Sequence, residues 1–183
     1  MNKIIAMVGM TGSGKSIGSS HLQSLGWKNI YFGGLTYERM KAEGIEYTPE
    51  TDKQMRMQMR KDYGMAAYAI LSMPKIKEAL KDNNVVIDDM YSWAEYETLQ
   101  KEFGDNIILI CVVADKDIRY KRLETRKERP YIKEEAIDRD LNELGNLDKG
   151  RPIAYADYFI FNNGTIDEYI TRLNEILEKI KTL

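Results

Sequence analysis

The sequence predicts an α/β fold: one domain over residues 1–183, built on a five-stranded parallel sheet with helices on both faces. Three observations predict it. Five short apolar runs recur, at 4–8, 29–32, 85–87, 107–113 and 158–161, with helical patterns between them. The runs are nearly continuous in apolar residues and do not alternate, as expected of strands covered on both sides. The first run passes through a glycine loop straight into a helix, a unit from which such sheets are assembled.

Each element has a local reason. Residues 4–8 read IIAMV and form the first strand, and 15–25 form the first helix. The run IILICVV at 107–113 is rich in β-branched residues. Ser92 with Glu95, and Thr165 with Glu168, are capping boxes that start two helices. Thr48-Pro49-Glu50 reads as an N-cap followed by proline in the first turn. The stretch MRMQMR at 55–60 alternates like a strand, but Met, Gln and Arg favour helix and a helix start lies just upstream. As a helix it puts Arg56 and Arg60 on one face and Met55 and Met59 on another, with the methionines as core. Two segments depart from simple sheet-covering helices: 33–82, a helical insertion, and 122–150, dense in charge. Such excursions are where binding residues gather.

Composition narrows the classes. Hydrophobic residues make up 43% and charged residues 31%, a globular balance. With 27 Lys+Arg against 29 Asp+Glu the net charge is −2, which gives no global pull toward nucleic acid or an anionic membrane. Cys111 is the single cysteine, so no internal disulfide forms, and its apolar neighbours predict a buried strand residue. His21 is the single histidine; it cannot build a metal site and is expected to face solvent. No apolar run approaches a membrane span, and a cytoplasmic location is expected. Monomer and dimer both remain open.

The stretch Gly9-Met10-Thr11-Gly12-Ser13-Gly14-Lys15-Ser16 matches G-x-x-x-x-G-K-[ST] in full, between a strand and a helix. Gly9, Gly12 and Gly14 let backbone N–H groups turn toward phosphate oxygens, together with Thr11 and Ser13. The following helix, from Lys15 through Ser16 and Ile17, aims its positive end at the anion. Lys15 reaches the β- and γ-phosphates, and the Ser16 hydroxyl takes Mg²⁺. The expected ligand is ATP with Mg²⁺.

What the nucleotide is used for depends on the rest. The chain carries neither N-K-x-D nor a D-x-x-G switch, so it is not a typical GTPase. The third strand ends VVIDDMYSW, without the Asp-Glu pair of a motor ATPase. A small-molecule kinase needs a lid with arginines to exclude water and neutralise the transferring group. Arg119, Arg122, Arg126, Arg129 and Arg139 fall in one short span, although Glu124, Glu128 and Glu134 also permit a solvated, salt-bridged face.

The pieces GMTGSGKS, GIEYTPE, MRKDYGMAAYA, VVIDDMYSW, RYKRLETR and ADYFIFNNGTIDEY together resemble the nucleoside monophosphate kinase group of phosphate-loop proteins. Within it, the chain is similar to the dephospho-CoA-kinase-like and adenylate-kinase-related branch. The resemblance implies an ATP-dependent phosphotransferase with a closing lid over 122–150 and acceptor binding in 33–82. It implies that Asp88 serves Mg²⁺-bound water or the acceptor hydroxyl, and that Asp89 is only solvated. Arg122 and Arg126 would lie along the triphosphate, with Arg129 and Arg139 swinging in. Asn163 and Gly164 would line the base pocket, and Arg60 would hold an anionic group of the acceptor.

The chain departs from that pattern at Gly34, Tyr37 and Tyr91, where an acid and two arginines are expected, and at Asp88-Asp89-Met90-Tyr91-Ser92. Tyrosine supplies a stacking face and one hydroxyl where a guanidinium would fork a phosphate. The acceptor is therefore expected to place a ring beside Tyr37, Tyr91 or Trp93, leaving Arg39, Arg56 and Arg60 for its phosphate. A nucleoside monophosphate, dephospho-CoA and another phosphorylated alcohol fit equally at this level. A second reading is a nucleotide-dependent regulator whose methionine-rich segment 55–73 meets a protein partner. A third, a nucleic-acid 5′-end kinase, lacks a basic stripe.

Overall fold

The computed structural model describes residues 2–127 and 130–181. Its strands are β1 (Ile4–Val8), β2 (Lys28–Tyr31), β3 (Val85–Asp88), β4 (Ile107–Val113) and β5 (Tyr158–Phe161). All pair in parallel in the order β2-β3-β1-β4-β5. The chain builds to one side of β1 with β2 and β3, then crosses to the other with β4 and β5. The crevice beyond the carboxyl end of β1 is thus the switch point where open α/β sheets take ligands.

The helices are α1 (Lys15–Ser24), α2 (Gly34–Ala42), α3 (Pro49–Tyr63), α4 (Ala67–Ala79), α5 (Trp93–Phe103), α6 (Lys116–Thr125), α7 (Lys133–Gly145), α8 (Gly150–Ala154) and α9 (Ile166–Lys181). Successive strand residues point to opposite faces. Ile4, Ala6 and Val8 join one core with Leu109 and Cys111, while Ile5 and Met7 join the other with Ile110 and Val112. Both faces are dry, which is why the strands read as continuous apolar runs. The second core is closed by Leu22 of α1 and by Tyr169, Leu173, Ile176 and Ile180 of α9, at helical spacing.

The first core is roofed by α2 to α5. The 55–60 segment lies within α3, so the helical reading holds. Met55 and Met59 are buried, whereas Met57 is 64% exposed. The methionines thus fill core more than they furnish a docking surface. Thr48 caps α3 together with Thr51, and Ser92 caps α5 with Glu95. Thr165 and Glu168 exchange the same pair of bonds before α9. The α6–α7 hairpin has a small core of its own, Tyr120, Leu123 and Ala136.

Two expectations need correcting. The second strand lies at Lys28–Tyr31, one residue earlier than 29–32, because Lys28 already pairs with Val85. His21 does not simply face solvent: its Nε2 sits 2.8 Å from Asn174 Oδ1 and ties α1 to α9. Among the described residues no helix is long and apolar enough to cross a membrane.

Candidate active site

The loop between β1 and α1 curls at the carboxyl edge of the sheet. Gly9, Gly12 and Gly14 have φ of 138°, 83° and 103°, left-handed values that glycine adopts without strain. A Cβ would also collide: at Gly9 with the Val112 carbonyl, at Gly12 with that of Arg119, and at Gly14 with the Asn162 amide. The loop is fixed from three sides. Asn162 Nδ2 donates to the Ser13 carbonyl at 2.8 Å. Arg119 donates to the Thr11 carbonyl at 2.8 Å and forks Asp140 at 3.0 and 2.6 Å. The Thr11 hydroxyl donates to Glu143 at 2.7 Å.

A chain of buried charges runs from this loop into α7 and α8. Lys15 Nζ donates to the Gly9 and Met10 carbonyls at 2.8 and 3.2 Å and lies 3.3 Å from Asp89. Asp89, with a left-handed φ of 66°, also faces Lys149 at 3.5 Å. Lys149, with no exposed surface, donates to Glu143 at 2.9 Å. Glu143 accepts in turn from Arg139 Nε at 3.0 Å. Strain of this kind at an acidic residue beside a phosphate loop points to function.

The pairings tune ionisation. Burial raises Asp89 and Glu143, but the facing cations win: Lys15 and Lys149 hold Asp89 well below the carboxylate range, and Lys149 with Arg139 brings Glu143 to about 2. Burial lowers Lys15, and Asp89 only partly offsets it. Asp88 goes the other way, up to about 6, through burial and then the neighbouring Asp89 charge. The two adjacent carboxyls therefore divide the work, one a fixed anion and the other able to change protonation near neutrality.

Of these groups Lys15, Asp88, Asp89 and Arg139 border a cleft of about 500 Å³, with Glu143 and Lys149 buried outside its lining. At one end lie Thr11, Gly12, Lys15 and Ser16, with Asp88 and Asp89 in the middle. Arg126 and Arg139 reach in from the 122–150 segment, and Tyr31, Tyr37 and Tyr91 line the cleft along with the Asp52–Arg56 pair. The loop fits a phosphate chain: its three glycines take left-handed φ where a Cβ would collide, and Thr11, Gly12, Lys15 and Ser16 face the cleft. Ser16 and Asp88 fit Mg²⁺. No cluster of three or more acidic, His or Cys ligands exists among the described residues. Mg²⁺ commonly needs only one or two protein oxygens when phosphates complete its shell.

Comparison with known proteins agrees with this geometry. Residues 5–143 match the AAA domain family. Over 97% of the chain and 97% of its own length, a UPF0200 protein of Pyrococcus horikoshii is 33% identical. The chain belongs to the UPF0200 family. A UPF0200 protein of Thermococcus onnurineus is 34% identical over the same shares. Among solved structures, a shikimate kinase from Bacteroides thetaiotaomicron superposes with a TM-score of 0.62 at 18% identity, covering 96% of this chain and 98% of its own. A gluconokinase from Sinorhizobium meliloti 1021 gives 0.60 at 15%, covering 98% and 96%. At such identities the likeness shows the fold alone: that of phosphate-loop small-molecule kinases.

Not every residue expected at the site of this UPF0200 chain is there. Arg126 and Arg139 line the cleft; Arg122 does not, and Arg129 lies outside the described residues. Ile17 is turned toward the α9-side core, and its N–H is already bonded to the Gly14 carbonyl. Asn163 accepts from the Asp115 N–H, and a side chain at Gly164 would strike Glu168, so both shape the β5–α9 turn. The neighbour Asn162 touches the loop instead. Gly34 begins α2, and Gly33 lines the cleft in its place. Arg39 braces α2 to α3 through Glu43 and Asp62, both at 2.8 Å. Arg60 lies over Tyr68 at 5.0 Å and Tyr91 at 5.9 Å and does not line the cleft. Trp93 packs on Tyr96 and Tyr155 on another side of α5. Asp89 is not solvated but central. Glu143 and Lys149 carried no motif, and only their acidic and basic type in a lid segment pointed to them.

Proposed function

We propose that this protein is an ATP-dependent phosphotransferase, moving the γ-phosphoryl group of Mg-ATP to a small acceptor of the nucleotide class in its broad sense. The observation that carries the reading is one cleft in which a complete phosphate loop and two lid arginines face a tyrosine-lined chamber, with Asp88 between them. Lys15 and the loop N–H groups bind and orient the phosphates. Arg126 and Arg139 offset charge on the transferring group and exclude water from it. Ser16 and Asp88 would hold Mg²⁺, which would supply charge neutralisation for the phosphates. Asp88 is suited to take a proton from an acceptor hydroxyl as its oxygen bonds to the γ-phosphorus and the bond to the departing ADP breaks.

The test is ADP release from Mg-ATP across a panel of acceptors, including ribo- and deoxynucleoside monophosphates, nucleosides, dephospho-CoA and no acceptor. One acceptor raising the rate far above the blank is expected, with the effect gone in Lys15→Ala. A flat panel, or full turnover in Lys15→Ala, overturns the proposal.

A further inference from the structure

We infer that the acceptor is an uncharged, ring-bearing alcohol, a nucleoside in chemical class, and not a nucleoside monophosphate. The inference rests on the phosphotransfer reading and narrows its acceptor.

Charge is the first argument. Of the arginines available for an acceptor phosphate, Arg39 is spent on Glu43 and Asp62, and Arg60 lies over the rings of Tyr68 and Tyr91 and does not line the cleft. Arg56 does line the cleft, but Asp52 lies 3.1 Å from it and lines the cleft as well. A phosphate dianion there would sit beside Asp52 and face Asp88 and Asp89. Guanidinium forks make strong phosphate sites, and here the Asp52 carboxylate already pairs with the Arg56 guanidinium. The lid cation Arg139 is held at the other end by Thr11, Glu143 and Tyr131.

Hydrogen-bonding capacity is the second. Asn29 Oδ1 and Arg56 Nε are both buried without a partner, and both residues border the chamber. One wants a donor and the other an acceptor. A phosphate dianion only accepts, so it cannot serve Asn29 Oδ1 or Asp52. A nucleobase edge or a sugar hydroxyl carries both kinds of group.

Shape is the third. A Cβ on Gly33 would come within 2.5 Å of the Tyr31 ring, so glycine is what lets that ring lie against the backbone at the chamber wall. Tyr37 is packed on Tyr47 with centroids 5.2 Å apart. Tyrosine walls of this kind suit a flat ring.

The test pairs adenosine, guanosine, cytidine, uridine and their deoxy forms each with its own 5′-monophosphate, with sugars lacking a base as a third group, and reads ADP release from Mg-ATP. At least one nucleoside is expected to exceed its monophosphate tenfold in kcat/KM. In Asp52→Asn, where Arg56 is released, the monophosphate KM should fall and narrow that gap. A monophosphate preferred by the native protein overturns the inference and leaves phosphotransfer standing. So does a base-free sugar as the sole substrate. No response to any acceptor, with ATP binding intact in a direct titration, overturns both.

Discussion

Glu143→Gln is the sharpest probe of the buried charge chain. Glu143 is 2% exposed and satisfies three donors: the Thr11 hydroxyl at 2.7 Å, Arg139 at 3.0 Å and Lys149 at 2.9 Å. The substitution keeps the shape and removes the anion, leaving Lys149 with Asp89 at 3.5 Å as its counter-charge. Removing one partner of a buried ion pair costs about 3–5 kcal/mol. Asp89 remains, so the lower end is expected, about 3 kcal/mol. In a chain of this size each kcal/mol moves Tm by roughly 2–4 °C, so the fall is about 6–12 °C. Thermal melts and urea titrations at pH 7 measure it directly. The variant should also bind ATP more weakly, since Thr11 and Arg139 lose their anchor. The pH dependence follows in the same direction. Glu143 is depressed from 4.5 to about 2 in the fold, so its stabilisation is present above pH 4.5 and lost as pH falls toward 2. The variant should lack that acid-limb loss. A Tm within 2 °C of native (about 1 kcal/mol or less), with unchanged ATP affinity, would refute the claim that this carboxylate ties α7 to the loop.

Other expectations test separate parts. Glu95 is pushed up to about 7, first by burial, with Arg60 and two backbone N–H groups opposing. Its stabilisation is full below 4.5 and fades as pH rises through about 7, so Glu95→Gln should flatten urea-derived stability over that window. Asp88 shifts in the same sense, and some slope up to about pH 6 should survive. Asn162→Ala removes the side-chain bond to the Ser13 carbonyl and should raise the KM for ATP several-fold, at a stability cost of about 1 kcal/mol; an unchanged KM would remove Asn162 from the loop's support. Trp93→Ala should lower stability by about 3 kcal/mol through lost packing on Tyr96 and Tyr155, while the acceptor KM stays as it was.

The fold was legible because it rests on local signals. Strand runs that are apolar on both faces, three helix caps and a contiguous phosphate loop each reveal themselves within a few residues, and sheet topology then carries the loop to the switch point. Lys15, Ser16 and Asp88 were readable for the same reason, each attached to a strand end or a motif. What the sequence could not decide was which of several like residues turns inward. Arg39, Arg56 and Arg60 are equivalent on paper; only packing pairs Arg39 with Asp62, lays Arg60 on Tyr68 and leaves Arg56 at the cleft. Asn162 and Asn163 differ by one position, and strand alternation sends the first to the loop. Asp89 lies more than fifty residues before Glu143 and Lys149, and the three meet only once the end of α7 and the turn after it pack over the end of β3. Helix and strand propensities act over a few residues, so the sequence by itself determined the elements and the phosphate site. Which charges meet depends on long-range packing in a dry interior, and that was decided by the tertiary structure alone.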